Sequence, residues 1–306
     1  MLRKNINGVL CIMLFLCYSC SQNDEIEPIE DQLEDGVMYI PVVVHVMHNG
    51  QPEGEGPNLS TQRIQRQIEI LNEDFRRKEG TRGFNDHPDG GDSEIEFVLA
   101  AQDPLGAPTD GIVRVDTSLL DVSNLGYNTN HFAQYSYWNT KQYVNIWTTP
   151  LPESAACLVL GYSTGPDTDL PGAHLWATPG PDDAEGIMIN WSHFGESDID
   201  CHATYGRTLT HEMGHYLGLL HPWGGRDCEH NDYCDDTPAV DDFVYGRNAF
   251  IGCQGEPIMI GNYMNWSDDE IMNIFTKNQI SRMHYVLEHD QGRKALLSSP
   301  GLEAPR

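Results

Sequence analysis

A chain of 306 residues with 39% hydrophobic composition is long enough to bury the core of one large domain, or of one domain with two lobes. Its formal net charge of -28 repels phosphate backbones and excludes nucleic acid as a natural partner. Such a surface attracts basic peptides and metal cations, and it serves equally as a solubility device.

The first residues read as an export signal. Arg3 and Lys4 make a short positive start, and residues 8–19 form an apolar run too short to span a bilayer. The run ends at Cys20, the residue that would carry a lipid if this is a bacterial lipoprotein signal; Cys17 and Tyr18 depart from the usual pattern before that cysteine. An ordinary secretory signal is the alternative. Residues 1–19 are therefore assigned to the signal and 20–37 to an acidic tether with too little apolar content to fold. The protein is expected in the cell envelope as an outer-membrane lipoprotein, or secreted, touching a membrane only through its anchor. At about 3.5 Å per extended residue, the segment between Cys20 and the first strand is too short to cover a cleft, so no conventional latent form is expected.

Met38 to His48 is a β-branched apolar run and predicts a buried strand. Ser60 is a plausible N-cap for an amphipathic helix of about five turns, in which Ile64, Ile68, Leu71 and Phe75 recur at three- and four-residue steps. Residues 95–101, 111–117, 143–149 and 186–192 predict further strands between Gly- and Pro-rich loops, notably 161–174. From 222 to 257 the periodicity disappears. A helix resumes with Thr276 and Gln279 as a capping box, Phe275 and Ile280 as a staple, and Ile280, Met283 and Leu287 facing inward. Residues 291–306 read as a loose tail. Strands with a few long helices make the fold class α+β.

The chemistry concentrates in HEMGHYLGLLH, residues 211–221. On a helix His211 and His215 point the same way, one turn apart, and Glu212 lies about 100° to the side. The two imidazoles can share a metal ion, and the carboxylate can act as general base toward a water that the ion activates. A continuous helix would carry His221 about 15 Å along the axis, out of reach. Gly218 can end the helix and turn the chain back, so that His221 becomes a third ligand. Three neutral imidazoles with one position open describe a catalytic zinc site.

HExxHxxGxxH is also the signature of the metzincin clan, whose second feature is a methionine turn beneath the metal. Met264 in NYMNW stands where that turn belongs. With IPVVVHV, QIEILNEDFRR, VNIWTT, GRTLTHEMGHYLGLLH, DDTP and FTKNQISRM, the chain resembles the pappalysin family of metzincins over residues 38–289. The resemblance implies a two-lobed metzincin fold over 38–290, with 38–221 as upper lobe and 222–290 as lower lobe. It implies an N-terminal twisted mixed sheet with a backing helix and an active-site helix, above an irregular lower lobe. It implies zinc on His211, His215 and His221, Glu212 as base and Met264 in the turn. Two positions depart from the family. Trp266 replaces a tyrosine that faces the active site, and an indole offers one hydrogen bond of different reach. Ile271 replaces a cysteine found in many relatives, so the family's disulfides do not transfer. Cys157, Cys201, Cys228, Cys234 and Cys253 remain behind the signal, an odd number in an oxidising compartment. The expected pairs are Cys157 with Cys201, and Cys253 with Cys228 or Cys234.

Asp232, Asp236 and Thr237 offer hard oxygens that suit calcium, which the resemblance also implies; a solvated acidic loop is the alternative. Cys228, Cys234 and His230 could be read as a second zinc site, but a disulfide suits an exported protein better. Trp266, Asp268, Asp269 and Glu270 follow the Met-turn, where metzincins wall the pocket for the residue after the scissile bond. Acidic side chains there favour Arg or Lys; an exposed polar turn is the alternative. The sequence thus predicts a monomeric zinc endopeptidase acting on proteins or peptides. Its rivals are a catalytically silent zinc-binding adhesin or binding module, which the intact Glu212 opposes, and a metzincin of another family.

Overall fold

The computed structural model describes residues 36–118, 129–150, 157, 160–175, 179 and 183–305. The expected signal and nearly all of the tether, Cys20 included, lie outside the described residues.

The longest strand, β1 (Met38–His48), is the axis of the sheet. Its alternate residues Ile40, Val42, Val44 and Val46 enter the main core, whereas Val43 and Met47 enter smaller clusters on the other face with Tyr143, Trp147 and Phe132. A strand covered on both faces needs an unbroken apolar run, which is why its sequence does not alternate. Along one edge of β1, residues 38–42 pair with β2 (Ile95–Leu99) and 44–48 with β3 (Ile112–Asp116). On the other edge lies β4 (Val144–Thr149), followed by β6 (Ile187–Asn190) and β5 (Gly161–Ser163). Only β5 runs antiparallel, as the edge strand against β6. A short helix, α2 (Thr129–Ala133), precedes β4.

Helix α1 (Thr61–Phe75) backs the sheet, with the Ser60 side chain accepting from the Arg63 amide. It is 15 residues long, nearer four turns than five; Arg77 takes a left-handed φ of 45° and turns the chain away. Helix α3 (Arg207–Tyr216) lies on the same face, and Leu209 and Met213 join the core that α1 feeds. Helix α4 (Lys277–His289) begins with the expected Thr276–Gln279 capping box, and Ile280, Met283 and Leu287 enter that core. The residues after His221 build a separate small cluster around Trp223, Val240 and Val244, plus a two-residue ladder between β7 (Tyr245–Gly246) and β8 (Trp266–Ser267). The architecture is the expected α+β fold with a mixed sheet. Disulfides join Cys157 to Cys201 and Cys228 to Cys253, leaving Cys234 as a buried free thiol.

Two expectations need correction. Residues 161–174 were expected as loop, but the first three form β5; a strand this short carries no periodicity. The expected loose tail is ordered instead. Helix α5 (Gln291–Leu296) is capped by Asp290, Leu296 is fully buried, and Gly301 accepts a hydrogen bond from the Ala101 amide at 2.9 Å. Arg293 anchors it, with its guanidinium 3.9 Å from the Tyr216 ring centroid and paired with Glu185.

A buried ion pair ties α1 to α3. Arg207 Nη2 lies 3.0 Å from Asp74 Oδ1, and the Thr210 hydroxyl donates to Asp74 Oδ2 at 2.7 Å. Burial raises the Asp74 carboxyl, and Arg207 first and Thr210 next pull it back down. Asp74→Asn leaves a guanidinium buried without its counter-charge. The expected loss is about 3–5 kcal/mol of unfolding free energy, read from the denaturant midpoint; a loss below about 1 kcal/mol would show that the pair does not hold the helices together.

Candidate metal centre

Helix α3 ends as the glycine requires. Leu217 is the C-cap and Gly218 adopts φ of 88°. The Gly218 amide donates to His215 O at 2.9 Å and the Leu219 amide to Gly214 O at 2.9 Å. This pair of bonds is a Schellman motif, and it sends residues 219–221 back under the helix. Arg282 of α4 holds the turn by donating to Gly218 O at 2.7 Å.

The reversal brings three nitrogens together. His211 Nε2 lies 3.1 Å from His215 Nε2 and 3.2 Å from His221 Nε2, and the last two are 3.2 Å apart. Zinc–nitrogen bonds of about 2.0–2.1 Å at tetrahedral angles separate their nitrogens by about 3.3 Å, so the triangle has the right size for zinc. Its chemistry agrees. His211 Nδ1 donates to Tyr263 O at 2.7 Å and His215 Nδ1 to Leu219 O at 2.8 Å, which leaves both Nε2 lone pairs facing inward. Burial first, then mutual repulsion, lowers His211 to about 3 and takes His221 well below its usual value; burial lowers His215 to about 4. Neutral imidazoles with converging lone pairs repel unless a cation lies between them. Among the described residues this is the only trio of His, Cys, Asp or Glu side chains placed to share an ion. His230, weighed for a second site, instead pairs with Asp227 at 3.0 Å.

Met264 is fully buried, with its sulfur against Gly214 of α3. A Cβ on Gly214 would lie 2.5 Å from that sulfur, so a larger residue there would require the Met264 side chain to move. Glu212 is also buried, and burial raises its carboxyl to about 8. It lies where two halves of a groove meet. One half, about 510 Å³, is lined by Leu160, Ala203, Trp266, Asp268, Asp269 and Met272 among others; the other, about 280 Å³, by Tyr162, Leu175 and Leu220 among others. His211, Glu212 and Trp266 line both. The Trp266 N–H points at His221 Nε2 from 3.2 Å, so it faces the three histidines.

The other sequence candidates divide. Asp269 lines the groove and is also structural: its Oδ2 accepts from the Tyr205 and Arg207 amides at 2.9 and 3.1 Å, capping an α3 that has no side-chain cap of its own. Asp268 lines the groove. Glu270 does not. A turn in which the Ile271 amide donates to Asp268 O directs it outward, where it pairs with Arg247 at 2.5 Å. In the loop considered for calcium, the Thr237 hydroxyl lies 2.7 and 2.8 Å from the two carboxylate oxygens of Asp232, and the Asn278 amide donates to Asp236 Oδ2 at 2.9 Å. Sequence reasoning missed Trp223, Arg247 and Arg207. Arg207 carried a signal, since it stands four residues before His211 and so on the same helix face.

Fold and site together define a metallopeptidase of metzincin architecture. The model of peptidase family M43, described as pregnancy-associated plasma protein-A, matches residues 127–288, and the chain belongs to this family. Mature mirolysin of Tannerella forsythia, solved with a cleaved peptide, is 31% identical with a TM-score of 0.70, over 88% of this chain and 98% of that one. A promirolysin variant gives 30% and 0.71, over 88% and 87%. Extracellular metalloproteases of the fungi Colletotrichum graminicola and Coccidioides posadasii are 44% and 40% identical over 85 and 82 residues, 26% of this chain. The match spans about 30% of the length of these curated relatives.

His221 differs from the other two histidines, because packing orients its ring. It stacks on Trp223, with centroids 4.4 Å apart and 12° between planes, and meets Trp266 edge-on at 5.4 Å. Trp223→Leu should weaken zinc affinity about tenfold in a chelator competition, with the fold retained by circular dichroism. Unchanged affinity would show that the Gly218 turn alone places this ring.

Proposed function

We propose that this protein is an exported zinc-dependent endopeptidase that hydrolyses internal peptide bonds of proteins or peptides. The observation that carries the reading is the open-sided triangle of imidazole nitrogens at the junction of a two-ended groove, with Glu212 beside it. When bound, zinc supplies a Lewis acid that acidifies water and polarises a carbonyl. His211, His215 and His221 hold it through Nε2. Glu212 accepts a proton from the attacking water and returns it to the leaving amine. Burial alone holds Glu212 high, and a cation in the triangle pulls it back toward the range of a base that works near neutrality. The groove runs past Glu212 on both sides, which suits a chain cut in its interior.

Finer features rest on narrower support. Asp268 and Asp269 in the groove wall favour Arg or Lys after the scissile bond. Calcium in the lower lobe is supported by Asp232, whose carboxyl burial raises to about 7, and by the buried Asp236 Oδ1, which has no partner. The relatives named as extracellular support export, and the signal pattern supports a lipid on Cys20.

Cleavage of a mixed peptide library, read by mass spectrometry, tests the central reading. Cuts should vanish with a zinc chelator and fall at least about 10²-fold in Glu212→Gln, which should still bind zinc. An excess of Arg and Lys after the cut sites checks the pocket. Zinc bound without any cut would favour a binding protein. On the full-length protein, added calcium should raise the melting midpoint by several degrees, and detergent-phase partition should be lost in Cys20→Ser. No change in either measurement removes the corresponding feature.

A further inference from the structure

Arg247 takes no part in the metal centre, but it pairs with a carboxylate of the groove wall beside it. The groove wall next to Glu212 carries two carboxylates, Asp268 and Asp269. Asp269 uses its Oδ2 to cap α3, and the Arg207 guanidinium acts on its charge. Asp268 is the carboxylate left for an incoming side chain. Arg247 Nε lies 2.5 Å from Asp268 Oδ2, and Arg247 Nη2 lies 2.5 Å from Glu270 Oε2. The short β7–β8 ladder delivers Arg247 and Asp268 to the same place, and the Asp268 amide donates to Gly246 O at 3.3 Å. A guanidinium of the protein's own thus pairs with the groove-wall carboxylate that a substrate Arg or Lys would seek as its counter-charge. An apolar side chain entering the same space meets Leu160, Ala203 and Met272 and faces no such competition.

We infer that Arg247 is a specificity-determining residue: it moderates selection for basic side chains after the scissile bond by holding Asp268 in an internal ion pair. The inference rests on the endopeptidase reading above. Selectivity is a difference between two affinities, so an internal competitor for the basic side chain lowers that difference without touching the reacting atoms. The pair is half-exposed on the arginine side, so its effect is modest and fades with salt.

The test uses two peptides that differ only in Arg or Leu after the scissile bond. It compares zinc-loaded wild type, Arg247→Ala, Asp268→Asn and the double variant. The quantity read is the ratio of kcat/KM for the Arg peptide to that for the Leu peptide, which cancels differences in the amount of folded enzyme. Arg247→Ala should raise the ratio about threefold at low salt, and it should leave the ratio unchanged when Asp268 is already Asn. A ratio unchanged by Arg247→Ala in an active enzyme overturns the inference, as does an equal rise in both backgrounds. If zinc-loaded wild type cuts neither these peptides nor the library, the endopeptidase reading itself falls.

Discussion

Three imidazole nitrogens within 3.2 Å of one another are the constraint around which the molecule is arranged. Neutral rings do not gather with lone pairs facing inward unless the chain forces them. Here the force is local: one left-handed residue, Gly218, ends α3 and folds the next three residues back. The same turn frees Leu219 O, which fixes the tautomer of His215. The Met-turn supplies Tyr263 O, which does the same for His211. Ring orientation and chain reversal therefore come from the same few backbone groups.

The surrounding structure holds α3 at both ends. At its start, Asp269 caps two amides from one side and Asp74 grips Arg207 and Thr210 from the other. At its end, Arg282 binds the turn carbonyl and also donates to Pro171 O at 2.6 Å. The grips come from α1, α4 and the segment after the Met-turn, elements far apart in sequence. Several of these grips are charged and buried, where removal of one partner costs more than the pair contributes. The metal-binding helix is thus positioned by long-range polar contacts, while its hydrophobic face joins the common core.

The convergence of the three histidines was legible in the sequence because helical geometry relates His211, Glu212 and His215 directly, and because a glycine at 218 has one strong conformational consequence. The β1 strand, the α1 cap at Ser60 and the Thr276–Gln279 capping box were legible for the same reason, since each is decided within a few residues. What escaped was non-local. Trp223 stacks on a ligand, Arg247 pairs across a two-residue ladder, and Asp269 caps a helix some sixty positions earlier; none of these leaves a periodic trace. Asp74 did leave one, as a carboxylate on the inward stripe of an amphipathic helix, where only a buried partner makes it tolerable. The tail was misread because its composition is polar, although Leu296 and Arg293 are enough to pin it.

That pinned tail changes what kind of object the lower part of the molecule is. The chain leaves the sheet-bearing body at His221, builds the irregular cluster and the Met-turn, and comes back through α4 and α5 to dock beside Tyr216 and Glu185. Ser299 and Gly301 then bond to Gln142 O and to the Ala101 amide, across the sheet. Topologically the lower part is an insertion moored at two points, with no free end on which to swing. The lower wall of the groove is therefore held from both ends of its own segment, by the Gly218 turn at one end and by α5 at the other.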